Sequence, residues 1–378
     1  MKRIWFAPYI LIPLLSFLLG GQAIRLIQSH AELGNFWSNL RYRQAMQAFN
    51  QLEGRAVFVF GASEIESGFI PGEFDQAVRR ESNSVRSFNF GFRNMGPDDL
   101  AAVIDQMEFA RPSNLEIESI YIKFSPSDFT ETAQAATRAV QDEVAANIYS
   151  REFLIKNLSK DYARYLNILS LQLLQGGYSK VNLDQSLRSL YLQFLTRFTG
   201  DNYLVGNPLD FPRYMLWVSP KFNSAPAWNM KNSGYHDRST GELQKELQAL
   251  YALQAEPEHL QFNFFLQERR SQILSLKIQA QAVTAFATQV ARLKHLSNSV
   301  SLFYVADHPG LPRDLSAKRR IEQAFQSVCM SAAVRCIRFD QGKEFTPDDY
   351  YDAFHLTPEG SKKLSLLLAN DYLKNSKH

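Results

Sequence analysis

Cysteine is nearly absent. Two residues, Cys329 and Cys336, occur in a chain of 378, which excludes a small scaffold stapled by disulfides. No Cys-x-x-Cys or His-Glu-x-x-His spacing occurs anywhere. A dedicated metal site is therefore not expected, and no motif calls for an organic cofactor. Excess charge is missing too: 41 Lys and Arg against 38 Asp and Glu leave a net charge of +3. With no dense basic run interleaved with aromatics, nucleic acid is not expected as a partner. Histidine is sparse, with seven in all, so each can be weighed singly. What remains is ordinary globular composition, 45% hydrophobic and 21% charged, in a length that suits one large domain or two modest ones.

The longest apolar run is at the amino end. Lys2 and Arg3 precede an uncharged stretch from Ile4 to about Gly21, close to the roughly 17–25 residues one helix needs to cross a bilayer. Basic residues in front of such a run keep the N-terminus in the cytoplasm and send the rest across. Residues 1–23 are thus expected to be a single-pass signal anchor in a bacterial inner membrane, with the body on the periplasmic side. A cleaved signal peptide is the rival, since Gly21-Gln22-Ala23 is a passable small-x-small site. The length of the run and the weakness of that site favour the anchor. In an oxidising compartment Cys329 and Cys336 can pair. Two buried free thiols are the alternative, and spacing does not decide between them.

Residues 24–54 predict a juxtamembrane helix with Leu26, Ile27, Phe36, Leu40, Met46, Phe49 and Leu52 as its apolar positions. Five strands follow. The first is Arg55 to Gly61, the second Ser84 to Gly91, the third Ser119 to Phe124, the fourth Ser299 to Val305 and the fifth Val334 to Phe339. Each is a short β-branched or aromatic run bounded by turn residues. Helical patterns alternate with them, from Pro97 to about Ala110, from Leu260 to Leu296, and after Thr357-Pro358. Alternation of this kind predicts an α/β fold with a mostly parallel sheet. The domain would comprise residues 55–129 and 258–378, interrupted by an insertion at 130–257. The first half of the insertion reads as amphipathic helix, with Leu154, Leu158, Tyr162, Leu166, Leu169 and Leu173 near helical spacing. The second half is irregular and aromatic (Tyr203, Phe211, Tyr214, Trp217, Phe222, Trp228, Tyr235). As a group those aromatics are a candidate substrate wall; plain core packing is the alternative for any one of them.

Two stretches carry chemistry. Ser63 lies two residues past the glycine that ends the first strand, where open α/β sheets keep their reactive groups. A serine there more often caps the next helix. Near the far end, Asp352-Ala353-Phe354-His355-Leu356 offers an acid and a base three residues apart, just before a well-formed helix start at Thr357-Pro358. Serine needs a base to become a nucleophile, and histidine needs a partner to fix its tautomer and steady its cation. Ser63, Asp352 and His355 are those types. His30, His236, His259, His295, His308 and His378 have no such setting, though His308 also follows a strand's carboxyl end.

These residues resemble the SGNH/GDSL hydrolase superfamily. Gly61-Ala62-Ser63-Glu64 is similar to its nucleophile block, Asn89-Phe90-Gly91 to its second block, and Asp352-Ala353-Phe354-His355-Leu356 to its last. The resemblance covers the core strands at both ends of the chain and not the insertion. It implies a three-layer α/β/α sandwich, ester hydrolysis or acyl transfer, and catalytic roles for Ser63, Asp352 and His355. It also implies an oxyanion hole from the amides of Ser63 and Gly91 and a side-chain donor in the third block, with Asn94 nearby. Where that third block has Asn before Asp, this chain has Ser127-Asp128, and its first block is not Gly-Asp-Ser-Leu. The anchor, the Ser-Glu pair and the helical insertion resemble the extracytoplasmic, DltD-like branch that works with membrane-bound O-acyltransferases. The implied substrate is an acylated cell-envelope glycan or polymer, and the implied partner an integral-membrane acyltransferase. A catalytically weak or inactive assembly factor for envelope polysaccharide modification is the other expectation.

Overall fold

The computed structural model describes residues 15–16, 19–20, 42, 45–46, 48–79, 85–92, 95–130, 138–172, 277–297, 299–307, 315–339, 344–346, 349–350, 354–356 and 358–376. The strands are β1 (Gly54–Gly61), β2 (Val85–Gly91), β3 (Leu115–Lys123), β4 (Ser299–Tyr304) and β5 (Arg335–Arg338). All pair in parallel, in the order β2-β1-β3-β4-β5. Among the described residues the helices are α1 (Ser63–Gly68), α2 (Pro71–Arg79), α3 (Pro97–Ala110), α4 (Arg138–Ile148), α5 (Arg151–Asn157), α6 (Tyr162–Ser170), α7 (Ala280–Arg292), α8 (Leu315–Ala332) and α9 (Pro358–Asn375).

The near-continuous hydrophobicity of β1 has a direct cause. Side chains alternate across a strand, and both faces of this sheet are covered. Ala56, Phe58 and Phe60 join one core with residues of α3, α7 and α8. Val57 and Val59 join the other, with α1, α2 and α9. Parallel strands buried on both faces read as unbroken apolar runs. The expected α/β architecture with a parallel sheet is therefore observed, with helices on both sides.

Strand β3 starts four residues earlier than the sequence predicts. Leu115-Glu116-Ile117-Glu118 alternates apolar with acidic, and the register shifts between Ala56 and Val57 where this segment pairs with β1. Glu118 is not solvated loop; it takes Arg55 and the Tyr372 hydroxyl as partners. The stripe expected from Leu154 to Leu173 does not form one face. The chain breaks at 158–160, Asp161 caps a new helix by accepting from the Arg164 amide at 3.0 Å, and the phase resets. Leu154 and Ile168 are buried while Tyr162 and Leu166 are exposed. Helices α4 to α6 pack into the same core as α3, so the start of the expected insertion belongs to the main body. The aromatic half, 203–235, lies outside the described residues.

Tyr42, Ala45, Met46, Phe49 and Leu52 pack into the first core, with Tyr42 stacked on Phe92 at 4.1 Å. The end of the expected juxtamembrane helix is thus docked on the sheet. Leu26, Ile27, Phe36 and Leu40 lie outside the described residues. So does most of the apolar run 4–21, where Leu15 and Leu19 are helical and exposed. Among the described residues no helix is long and apolar enough to cross a membrane.

Both sheet edges are managed. On β2 the outward Ser87 amide and hydroxyl donate to Asp75 of α2, each at 2.7 Å, which blunts an edge that would otherwise offer an open donor. Burial pushes the Asp75 carboxyl up to about 6, against the pull of Ser87 and of Arg79 and Arg86. A raised carboxyl binds its proton more readily folded than unfolded, so its contribution to stability declines as pH rises from about 4 to about 6. Asp75→Asn is expected to flatten that slope in urea-unfolding curves taken across the interval. An unaltered slope would remove Asp75 as its source.

On β5 the two cysteines, left open above, are joined. Cys329 at the end of α8 and Cys336 in β5 form a disulfide with a Cα–Cα distance of 6.1 Å. The loop is short, so chain-entropy reasoning assigns it roughly 2 kcal/mol. The Cys329→Ala/Cys336→Ala protein should lose about that much in urea unfolding; a loss below about 0.5 kcal/mol would contradict the assignment.

Candidate active site

The strand ends bring the candidate residues to one edge. Gly61 closes β1, and a Cβ there would lie 2.3 Å from Ile65 Cγ1. Only glycine lets the chain turn this tightly from β1 into α1, whose first residue is Ser63. Strand β2 ends against the same turn. A Cβ on Gly91 would lie 2.2 Å from the Glu66 backbone nitrogen, so α1 rests directly on the β2 backbone. Asn89, polar between Phe88 and Phe90, is fully buried beneath it. Its Nδ2 donates to the carbonyls of Ile65 at 2.7 Å and Phe69 at 2.8 Å, with that of Glu66 at 3.3 Å. These are carbonyls at the end of a short helix, which need partners from outside it.

His355 arrives from the opposite end of the chain. Its loop is pinned on both sides by an isolated antiparallel bridge between Tyr350 and Leu356. The Tyr350 hydroxyl donates to the Ala306 carbonyl beyond β4 at 2.6 Å. Asp349 accepts from the Thr346 amide, the Thr346 hydroxyl and Lys363 of α9, at 2.6, 2.9 and 2.6 Å. Burial opposes ionisation of Asp349, but Lys363 and Thr346 outweigh it and hold the carboxyl below its ordinary range.

The two ends meet. His355 Nε2 lies 2.9 Å from Ser63 Oγ, across 292 residues of sequence. His355 is buried to 9% exposure, and Ser63 is half-buried, so the hydroxyl is reachable while the ring is held. With its proton on Nδ1, the imidazole accepts from the serine hydroxyl, which is the arrangement of a nucleophile and its base.

The remaining expected residues divide. Asp352 and Asn94 lie outside the described residues, as does His308. Ser127 sits in the 3-10 turn Pro126–Phe129 after β3 and is half-buried. Gly91 is at the expected edge, but its amide donates to Asn89 Oδ1 at 2.8 Å. That N–H serves an internal acceptor, the same Asn89 side chain that braces α1.

Sequence reasoning overlooked a buried polar cluster beside Ser63. Glu64 pairs with Lys123 of β3 at 3.0 Å and accepts from the Ser125 hydroxyl at 3.1 Å. Lys123 Nζ also lies 3.4 Å from Ser125 Oγ. Burial disfavours the Glu64 anion, yet Lys123 first and His355 next hold its carboxyl below the ordinary range. Asp128 moves the other way. Burial raises it well above a normal aspartate, Glu64 adds to the rise, and Lys123 only partly offsets it. A signal was legible: Lys123 is a lone charge at the end of Ile120-Tyr121-Ile122, and Asn89 a lone amide between phenylalanines. A polar residue inside a run buried on both faces must have a partner.

Compared with known protein-family models and with curated proteins, the chain matches none. Among the described residues no group of three or more His, Cys, Asp or Glu could hold a metal ion.

Proposed function

We propose that the chain is a membrane-anchored, extracytoplasmic serine esterase or O-acyltransferase of the SGNH type, acting on small acyl esters of a cell-envelope glycan or polymer. The observation that carries this reading is the 2.9 Å contact between Ser63 Oγ and His355 Nε2. Ser63 Oγ attacks the acyl carbonyl carbon while its proton passes to His355 Nε2. The ester C–O bond then breaks, and the departing alcohol takes that proton. Water or an acceptor hydroxyl resolves the acyl-serine by the reverse proton path, giving hydrolysis or transfer. Asp352, three residues before His355, is assigned the orienting role. An integral-membrane acyltransferase is the proposed source of acyl groups.

A second reading, a weak or inactive binding factor for envelope polysaccharide modification, draws support from two features. The Gly91 amide is occupied by Asn89, and Ser127 stands where the resemblance implies an asparagine donor, so oxyanion stabilisation has fewer evident sources. Incubation with an activated small acyl ester, followed by intact mass and peptide mapping, separates the two. An adduct on Ser63 supports the enzyme; a folded protein that forms none supports the binding factor.

A further inference from the structure

The cluster beneath Ser63 is unused by the scheme above. Glu64 is the residue directly after Ser63, in the first turn of α1. Its carboxylate is buried and gripped from two points of a different segment, Lys123 at the end of β3 and Ser125 in the loop that follows. These contacts tie the turn bearing the serine to the next strand over. Asn89 braces the same turn from the other side, so α1 is held by β2 and β3 together. His355, on the last loop, lies within electrostatic reach of the Glu64 carboxylate. Attraction of this kind is mutual: a carboxylate favoured by a nearby imidazolium favours that imidazolium equally. The titratable groups around Glu64 are Lys123 from β3, Asp128 from the following turn and His355 from the last loop. Burial, and then Glu64 itself, push the Asp128 carboxyl well above the ordinary aspartate range, with Lys123 opposing.

We infer that Glu64 is a positioning residue for the Ser63–His355 pair, its clamped carboxylate fixing the turn that presents Ser63 and steadying the imidazolium formed when His355 takes the serine proton. This rests on the reading of Ser63 as a nucleophile and His355 as its base. The proton that leaves Oγ resides on Nε2 until the alcohol departs. A buried anion fixed nearby lowers the energy of that charged state without reorganising. Lys123 keeps Glu64 ionised, and Ser125 keeps it from rotating away.

The test is an NMR titration of the histidine rings in the full-length chain in detergent, with His355 assigned by the resonance lost in His355→Ala. In Glu64→Gln the His355 midpoint should fall by about half a unit or more. The acylation rate with an activated acetyl ester should fall about tenfold, with KM little changed. Glu64→Gln leaves a buried ammonium at Lys123, so the Glu64→Gln/Lys123→Met protein is measured alongside. If the double variant keeps the lowered midpoint and rate while its thermal unfolding recovers, the charge on Glu64 is what matters. Wild-type titration and rate in either folded variant would overturn the proposal. A lowered midpoint with no adduct even on the wild-type chain would uphold the Glu64–His355 coupling and refute only the nucleophile reading.

Discussion

Alanine at Ser63 should reduce acyl turnover by on the order of 10⁴-fold or more, and alanine at His355 by a similar factor, because a nucleophile and its base act as one unit. The double variant should be scarcely worse than either single one for the same reason. The expected result depends on the 2.9 Å approach of Nε2 to Oγ: without the base the hydroxyl keeps its proton, and without the hydroxyl the base has none to take. Both side chains project from turns whose backbones are held by other residues, so the variants should unfold at nearly the wild-type temperature. Turnover of a small activated ester, read together with circular dichroism, checks both parts. Substantial turnover by folded Ser63→Ala would end the serine-enzyme reading. The KM of the surviving activity would then show whether a different group had been doing the chemistry.

The second large effect concerns a residue that touches no substrate. Asn89→Ala should cost about 3 kcal/mol or more, because it removes buried hydrogen bonds to the Gly91 amide and to the carbonyls of Ile65 and Phe69, each at roughly 1–3 kcal/mol; the Ile65 carbonyl keeps the Phe69 amide as a donor. The unfolding midpoint should drop by on the order of 5–10 °C. Asn89→Asp should not rescue it, since a carboxylate has no hydrogen to give to those carbonyls. The rate of Ser63 acylation should also fall, as the turn carrying Ser63 loses one of its two braces. A loss of stability under about 1 kcal/mol, measured by urea unfolding, would show that the amide's contacts are dispensable.

Glu64 and Asn89 stand inside the motif blocks, yet sequence reading assigns neither a role, and the cause is the same for both. Their importance lies in partners 59 and 24 residues away along the chain, Lys123 and Ile65 respectively. Periodicity reports which face of an element is buried, not what a buried polar atom will meet there. The hydrogen bond at Gly91 has a related origin. Its place at the end of β2 is legible, but what its N–H meets depends on the Asn89 rotamer. The stripe assigned to residues 154–173 failed for a local reason instead: a break of three residues rotated the next helix, and spacing counted across the break lost its meaning.

The sequence alone determined the α/β class, four of the five strands to within a residue or two of each end, and the placement of Ser63 and His355 at element boundaries. These are local properties. They follow from β-branched and aromatic runs, from glycines where the chain must turn tightly, and from a Thr-Pro helix start, all of which act within a few residues. Only the tertiary structure decided the strand order β2-β1-β3-β4-β5, the pairing of Cys329 with Cys336, and the meeting of Ser63 with His355. Those depend on how two cores on opposite faces of one sheet are filled at once. A contact between residues 292 positions apart comes from that packing, since no local preference of either segment specifies the other.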